Sequence, residues 1–151
     1  PAAMKDGEAS ALVNAANDAE IDAAKVAKQK AQNAEVKSYA EMMIQAHTAN
    51  KKEHSKIMEQ PGLNAKRTDE ALNLRKDAQM KLKELRGKSG AEFDKAYIES
   101  QVTMHSDLLA KLNDKLIPGA EKAEFRSFLE KTRDHVQQHL DQAQKLQASM
   151  K

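Results

Sequence analysis

The sequence predicts an all-α fold, four long helices and one shorter one packed as a single bundle, and three observations lead there. Turn formers are scarce, with 5 Gly and 3 Pro in 151 residues, so the chain reverses only a few times. Apolar residues recur at three- and four-residue spacings and almost nowhere alternate, which is the period of a helix and not of a strand. Aromatic residues make up 3% of the chain, so a core must be built from Ala, Leu, Met and Val, side chains that suit close helix packing. The length allows one domain of ordinary size, residues 1–151.

Each helix carries its own signals. Residues 10–31 hold neither Gly nor Pro, and Leu12, Ala16, Ala19, Ala23, Val26 and Ala27 fall on one stripe. Asn33 is an N-cap for a second helix over about residues 34–59, whose stripe is Val36, Ala40, Met43, His47, His54 and Met58 and which Gln60-Pro61-Gly62 ends. Thr68, with Asp69 and Glu70 behind it, opens a shorter helix over about 68–86, because a capping hydroxyl and two carboxylates meet the free N–H groups and the positive end of the dipole. Its stripe is Ala71, Leu74, Ala78, Leu82 and Leu85, and Gly87 closes it. Ser89 and Glu92 stand in capping-box spacing and open a helix over about 91–116 that Pro118-Gly119 breaks. The last helix, about 121–148, turns Phe125, Leu129, Thr132, Val136, Leu140 and Ala143 one way. A shorter helix of roughly 19 residues measures about 28 Å at 1.5 Å per residue, close to the length of its neighbours, so it is expected to run along the bundle axis. That makes it a crossover and leaves the second helix parallel to the one beginning near Ala91, which is a ferritin-like four-helix bundle with an additional shorter crossover helix.

Composition closes off several functions. Lys and Arg number 25 against 23 Asp and Glu, a formal charge of +2 that exerts little pull on nucleic acid or anionic lipid. The basic run from Lys66 to Lys88 is interrupted by Asp69, Glu70, Asp77 and Glu84 and has no aromatic platform beside it, so it reads as a solvated face, with no nucleic-acid partner. No apolar stretch approaches the length that spans a membrane. Absence of Cys removes thiolate catalysis, disulfides and Cys-type zinc sites together. A His-Glu-x-x-His motif, a phosphate loop and a nucleophile elbow are also absent. The chain opens at Pro1-Ala2-Ala3 without an initiator Met, as a processed protein would.

When residues are placed at 100° steps around their helices, few polar side chains fall inside the apolar sector. Glu20 lies about 50° from the centre of its stripe, whereas Asp18 points away and Asp22 sits at the rim. His47 and His105 lie near the centres of theirs. On the last helix His139 is about 30° off centre and His135 about 70°. Four long helices thus each send one potential ligand toward a common axis: Glu20, His47, His105 and His139. A buried carboxylate is costly unless paired, hydrogen-bonded or bound to a metal, and three imidazoles beside it form a donor set suited to zinc, with copper or iron as alternatives. Counting residues from the inter-helix turns puts Glu20, His47 and His105 at one level but favours His135 over His139, so facing selects one histidine and level the other.

Competing readings remain open at this point. The same residues could be neutral core histidines hydrogen-bonded to Gln101, Asn50 or Thr132, with Glu20 paired to one of them. His54 faces inward near a helix end, where wet burial is expected rather than ligation. Met43 one turn before His47, and His54 one turn before Met58, could hold copper, although Met in an Ala-rich core is commonly a gap filler. A di-iron centre fails on ligands, because no Glu is followed three residues later by His. A hydrolytic zinc site would need an open coordination position, which a His₂Glu set lacking His139 would leave.

The sequence resembles a widespread bacterial family named domain of unknown function forty-one forty-two, often described as outer membrane proteins. The resemblance rests on Ala19-Glu20, on Val36, Lys37, Tyr39, Ala40, Met43 and His47, on Ser89, Gly90, Phe93, Asp94 and Tyr97 followed by His105, and on His139, Leu140 and Ala143. Two departures are Asp22, where the family usually carries Glu, and the stretch around Asp77, where many members carry His. The resemblance implies a ferritin-like bundle exported to the periplasm or secreted, favours His139 over His135, and supplies no established activity. The function expected on this basis is non-enzymatic binding of one transition-metal ion by a monomer or weak homo-oligomer, with a metal-free stress or interaction protein as the alternative. No protein partner is indicated.

Overall fold

The computed structural model describes residues 3–150 and is all-α, with no strand among the described residues. Its elements are α1 (Asp6–Lys30), α2 (Ala34–Ile57), α3 (Asp69–Arg86), α4 (Gly90–Lys111), a π-helical stretch (Leu112–Leu116), α5 (Ile117–Gly119) and α6 (Ala123–Ser149). Contacts fix their directions. Taking α1 as running upward, its first turns meet the α2–α3 loop, where Lys66 N–H donates to Gly7 O at 2.9 Å. At its far end Lys30 Nζ donates to Arg86 O at 2.7 Å, the last residue of α3. Midway, Asp18 accepts from Lys51 at 2.6 Å and Arg75 at 3.0 Å, joining α1, α2 and α3. The start of α3 pairs with the end of α4 and the π-helical stretch after it, Glu70 lying 3.8 Å from Lys111 and 3.2 Å from Lys115. So α3 runs lengthwise beside α1, and α2 and α4 both run downward, parallel to each other.

Local chemistry accounts for the ends. Asn33 Oδ1 accepts from Glu35 N and Val36 N, and Thr68 Oγ1 accepts from Ala71 N, each side chain satisfying donors that a helix start leaves free. Three boundaries differ from expectation. α1 begins at Asp6 and not near residue 10, with Glu8 accepting from Lys5 N–H at 3.2 Å. Gly7 sits inside it because a Cβ there would lie 2.9 Å from Asn64 O. Ser89 precedes α4 as predicted but makes no capping bond through its side chain. Pro118 does not break the helix, which continues to Gly119. A proline ring clashes with the carbonyl four residues back, and the π-helical stretch widens the ladder there, with Ile117 N–H reaching Leu112 O. The N-terminal strap packs against this end: Met4 N–H donates to Lys115 O at 3.0 Å, and a Cβ on Gly119 would stand 2.0 Å from Met4 O.

Two buried carboxylates tie loops to helices. Asp6 accepts from Glu121 N and Lys122 N at 3.0 and 3.1 Å, and Asp94 accepts from Gln32 N and Asn33 N at 3.0 and 2.8 Å. Each gives two otherwise free N–H groups a charged acceptor, the stronger kind of hydrogen bond.

The apolar core is divided. One cluster, with Leu12, Val13, Leu112, Leu116, Phe125 and Leu129, fills the lower end. Another, with Val36, Met43, Phe93, Tyr97, Ile98 and Ala143, fills the upper end. On each long helix the polar residue singled out from the sequence falls at the seam: Glu20 between Ala16 and Ala24, His47 between Met43 and Ile57, His105 between Ile98 and Leu108, His139 between Val136 and Ala143. A polar layer therefore crosses the middle of the bundle. No helix of the described residues is long and apolar enough to cross a membrane.

Candidate metal centre

α1, α2, α4 and α6 each contribute one side chain to this layer. Glu20 and His105 are 1% exposed, His47 5% and His139 8%. Glu20 Oε2 stands 3.1 Å from His105 Nε2 and 3.5 Å from His47 Nε2. The rings of His47, His105 and His139 have centroids 6.0, 5.8 and 5.7 Å apart, and one nitrogen from each lies within 4.8 Å of the others. Two donors bound tetrahedrally at zinc distances stand about 3.3 Å apart, which the Glu20–His47 and Glu20–His105 separations bracket. A nitrogen triangle of 4.8 Å edge puts its centre about 2.8 Å from each corner, so shifts of about 0.7 Å reach bonding distance.

The hydrogen bonds sort the imidazole nitrogens into outer and inner. His47 Nδ1 lies 2.9 Å from Asn17 Oδ1, and Asn17 Nδ2 donates to Asn50 Oδ1, whose Nδ2 donates to Thr132 Oγ1. His105 Nδ1 lies 2.8 Å from Gln101 O. Both outer nitrogens face acceptors and so carry the proton, which leaves the lone pair on Nε2 pointing inward, the arrangement by which second partners orient metal-binding histidines. The inner atoms, Glu20 Oε2, His47 Nε2, His105 Nε2 and His139 Nδ1, are buried and make no hydrogen bond to the protein. Buried polar atoms are nearly always paired; here the three histidines form a group that could hold a metal ion, and Glu20 stands beside it, against His105 and His47, without joining the 4.8 Å set.

Electrostatics points the same way. Burial drives the Glu20 carboxyl up from its ordinary value, against the opposing influence of the adjacent His105 ring and of the Gln101 N–H that bonds Oε1 at 3.2 Å. Burial pushes His47 well below the usual imidazole range, with the neighbouring His105, His139 and His135 adding to it. It brings His139 down to about 4, with His105 and His135 as lesser causes. Neutral imidazoles with free lone pairs are what a metal ion takes up near neutral pH.

The structure brings His139, not His135, into the group: His135 is exposed. The residue count that favoured His135 started α6 at the Pro118-Gly119 turn, whereas the helix starts at Ala123, about one turn later; level then no longer separates the two sharply, and facing decides, His139 being buried and His135 exposed. His54 is not wet. It is fully buried, held by Asn14 and Ser10 at 3.1 Å each and stacked on Phe128, and burial lowers its pKa to about 4. Met43 lies in the upper apolar cluster. The sequence reading missed Asn17, which lies one turn before Glu20 on the same face and is 3% exposed. It also gave no role to Tyr39 and Tyr97, although the spacing Tyr-x₇-His occurs on both α2 and α4.

A cavity of about 540 Å³ lies between α1, α3 and α4, floored by Ala16, Ala19 and Ala23 and reaching Gln101 from outside. Only two residues of α3, Ala71 and Leu85, are buried, so this helix bridges the cavity rather than filling it.

Compared with known proteins, the chain matches over residues 1–146 the family described as domain of unknown function (DUF4142), and it belongs to that family. No curated protein and no solved structure matches it.

Proposed function

We propose that this protein is an exported, ferritin-like helical bundle that binds one transition-metal ion, zinc foremost, through Glu20, His47, His105 and His139, without an enzymatic role. The observation that carries the reading is the group of three buried histidines within 4.8 Å of one another, with Glu20 against two of them, while the outer ring nitrogens of His47 and His105 are held by acceptors. Three nitrogens and an oxygen are a donor set suited to zinc; copper and iron remain alternatives. The parallel course of α2 and α4, with α3 lengthwise between them in sequence, supports the ferritin-like arrangement. Export to the periplasm or cell exterior accords with the Cys-free composition only as one compatible setting.

Binding would tie four helices at the seam between two apolar clusters, so metal should act chiefly on stability. Metal analysis of protein purified without chelators, followed by zinc titration of the stripped form, tests this. One equivalent of metal and a rise in melting temperature are expected; no stoichiometric metal and no shift would remove the reading. A metal-free structural network is the second reading, favoured by the chain His47–Asn17–Asn50–Thr132. Under it, replacing His47 or His105 would destabilise the protein equally with and without added metal.

A further inference from the structure

Two more buried atoms beside the four inner donors lack a hydrogen-bond partner: Tyr97 OH and Gln101 Oε1. They lie on consecutive turns of α4, and the next turn carries His105, so Tyr97, Gln101 and His105 form one i, i+4, i+8 column. Gln101 Nε2 holds Glu20 Oε1 at 3.2 Å. On the parallel helix α2, Tyr39 stands at the same spacing before His47, and the two phenol rings meet edge to face with centroids 6.3 Å apart. Both phenols belong to the upper cluster that borders the histidine layer, Tyr39 reaching it through His139 O, and the Glu20 carboxylate acts on both hydroxyls. They are not equivalent. Tyr39 donates to His139 O at 3.2 Å, whereas Tyr97, with no exposed surface, donates to nothing. A buried hydroxyl without a partner is costly, and a Phe at this position would avoid that cost with the same ring contacts.

We propose that Tyr97 OH is the donor of a second-sphere site for a small exogenous ligand on the metal, an anion or neutral oxygen or nitrogen donor of two or three heavy atoms, with Gln101 Oε1 beside it as an acceptor for those ligands that carry an O–H or N–H. The incoming molecule is then a fifth ligand, added to the four from the protein, and Tyr97 supplies the hydrogen bond that orients it. Gln101, reached by the cavity beside α3, stands on the approach from outside. This inference rests on the metal reading above and adds to it that the coordination sphere is not closed by protein alone. Tyr97 is a positioning residue.

Cobalt(II) reports coordination changes through its visible spectrum, and azide is a ligand of the right size. The full chain loaded with cobalt is titrated with azide, beside Tyr97→Phe and Tyr39→Phe. In the unaltered protein azide should change the visible bands with saturation. Tyr97→Phe should bind azide about 10-fold or more weakly, the loss of one hydrogen bond to a charged acceptor, while its metal-free melting temperature stays level or rises. Tyr39→Phe should melt lower yet bind azide within about 2-fold of the unaltered protein, because its hydroxyl serves the His139 carbonyl. Cobalt retained with a spectrum indifferent to azide, or equal azide affinity in Tyr97→Phe, overturns this inference and leaves the metal reading standing. A protein that takes up no cobalt and no zinc fails the metal reading, and this one with it.

Discussion

Replacing Glu20 by Gln separates a metal ligand from a structural ion pair, because the two roles predict opposite signs. Glu20 is 1% exposed, and burial disfavours its charged form. Glutamine has nearly the same shape, and its carbonyl can still accept the bond from Gln101 Nε2. Burial also holds His47 and His139 neutral, so removing the carboxylate strands no charge on those two. In stripped protein, Glu20→Gln should therefore leave stability within about 1 kcal/mol of the original or raise it. With metal the outcome reverses. At a free concentration 100 times its Kd, an ion stabilises the fold by about 2.7 kcal/mol, worth roughly 5–11 °C in a domain of this size. An amide is a poor metal ligand, and a 100-fold loss of affinity reduces the gain at that same concentration to about 0.4 kcal/mol, or roughly 1 °C. The assay is a pair of melting curves for each protein, stripped and at fixed free zinc. A full metal-induced shift in Glu20→Gln would refute ligation by Glu20. A stripped variant that melts lower by the equivalent of about 3 kcal/mol would make Glu20 half of a structural pair with His105.

Other expectations follow from the same geometry. His139→Ala should weaken zinc about 100-fold and His135→Ala less than 2-fold, measured by competition with a chromophoric chelator, since only His139 reaches the group. His54 should make stability fall in mild acid whether or not metal is bound. Its folded pKa of about 4 lies below the unfolded value of about 6.5, so the unfolded chain takes the proton first and stability is lost as pH falls from 6.5 toward 4, by about 3 kcal/mol in total. Denaturant midpoints across that window should slope less steeply in His54→Gln; identical slopes would refute the assignment. Asp94→Asn should cost about 2–3 kcal/mol, because one amide oxygen cannot serve the N–H groups of both Gln32 and Asn33 and its NH₂ faces a donor. A midpoint unchanged within 0.5 kcal/mol would show that the α1–α2 turn does not depend on it.

Much of the helical layout was legible because local rules governed it. Asn33 and Thr68 cap the helices they were expected to cap, and the stripes on α2 and α6 face inward as read. The failures came where a distant segment decides a local conformation. The first helix was expected from residue 10, in a stretch free of Gly, yet it begins at Asp6 and includes Gly7, over which the α2–α3 loop passes. Pro118 reads as a stop, yet a π-helical stretch absorbs it while the end it forms is covered by the N-terminal strap. His54 looked like a wet helix-end residue because neither Ser10 nor Phe128 is near it in sequence. The candidate site divides in the same way. A helix's angular period is fixed, so the sequence could place Glu20, His47, His105 and His139 on inward faces. Axial level depends on where each helix begins, and an error of three or four residues there is one turn, enough to exchange His135 for His139.

By itself, then, the sequence determined the helix number, most of the inward stripes and one titratable residue that each long helix turns inward, because periodicity and capping act within a few residues along the chain. Only the tertiary structure decided that these four residues meet at one level between two apolar clusters, that Asn17 and the Gln101 carbonyl hold the outer ring nitrogens, and that Tyr97 is left without a partner while Tyr39 has one. Those are distances between side chains on different helices, set by how the helices are shifted along one another, and that shift is a sum over the whole packed core that no single segment specifies.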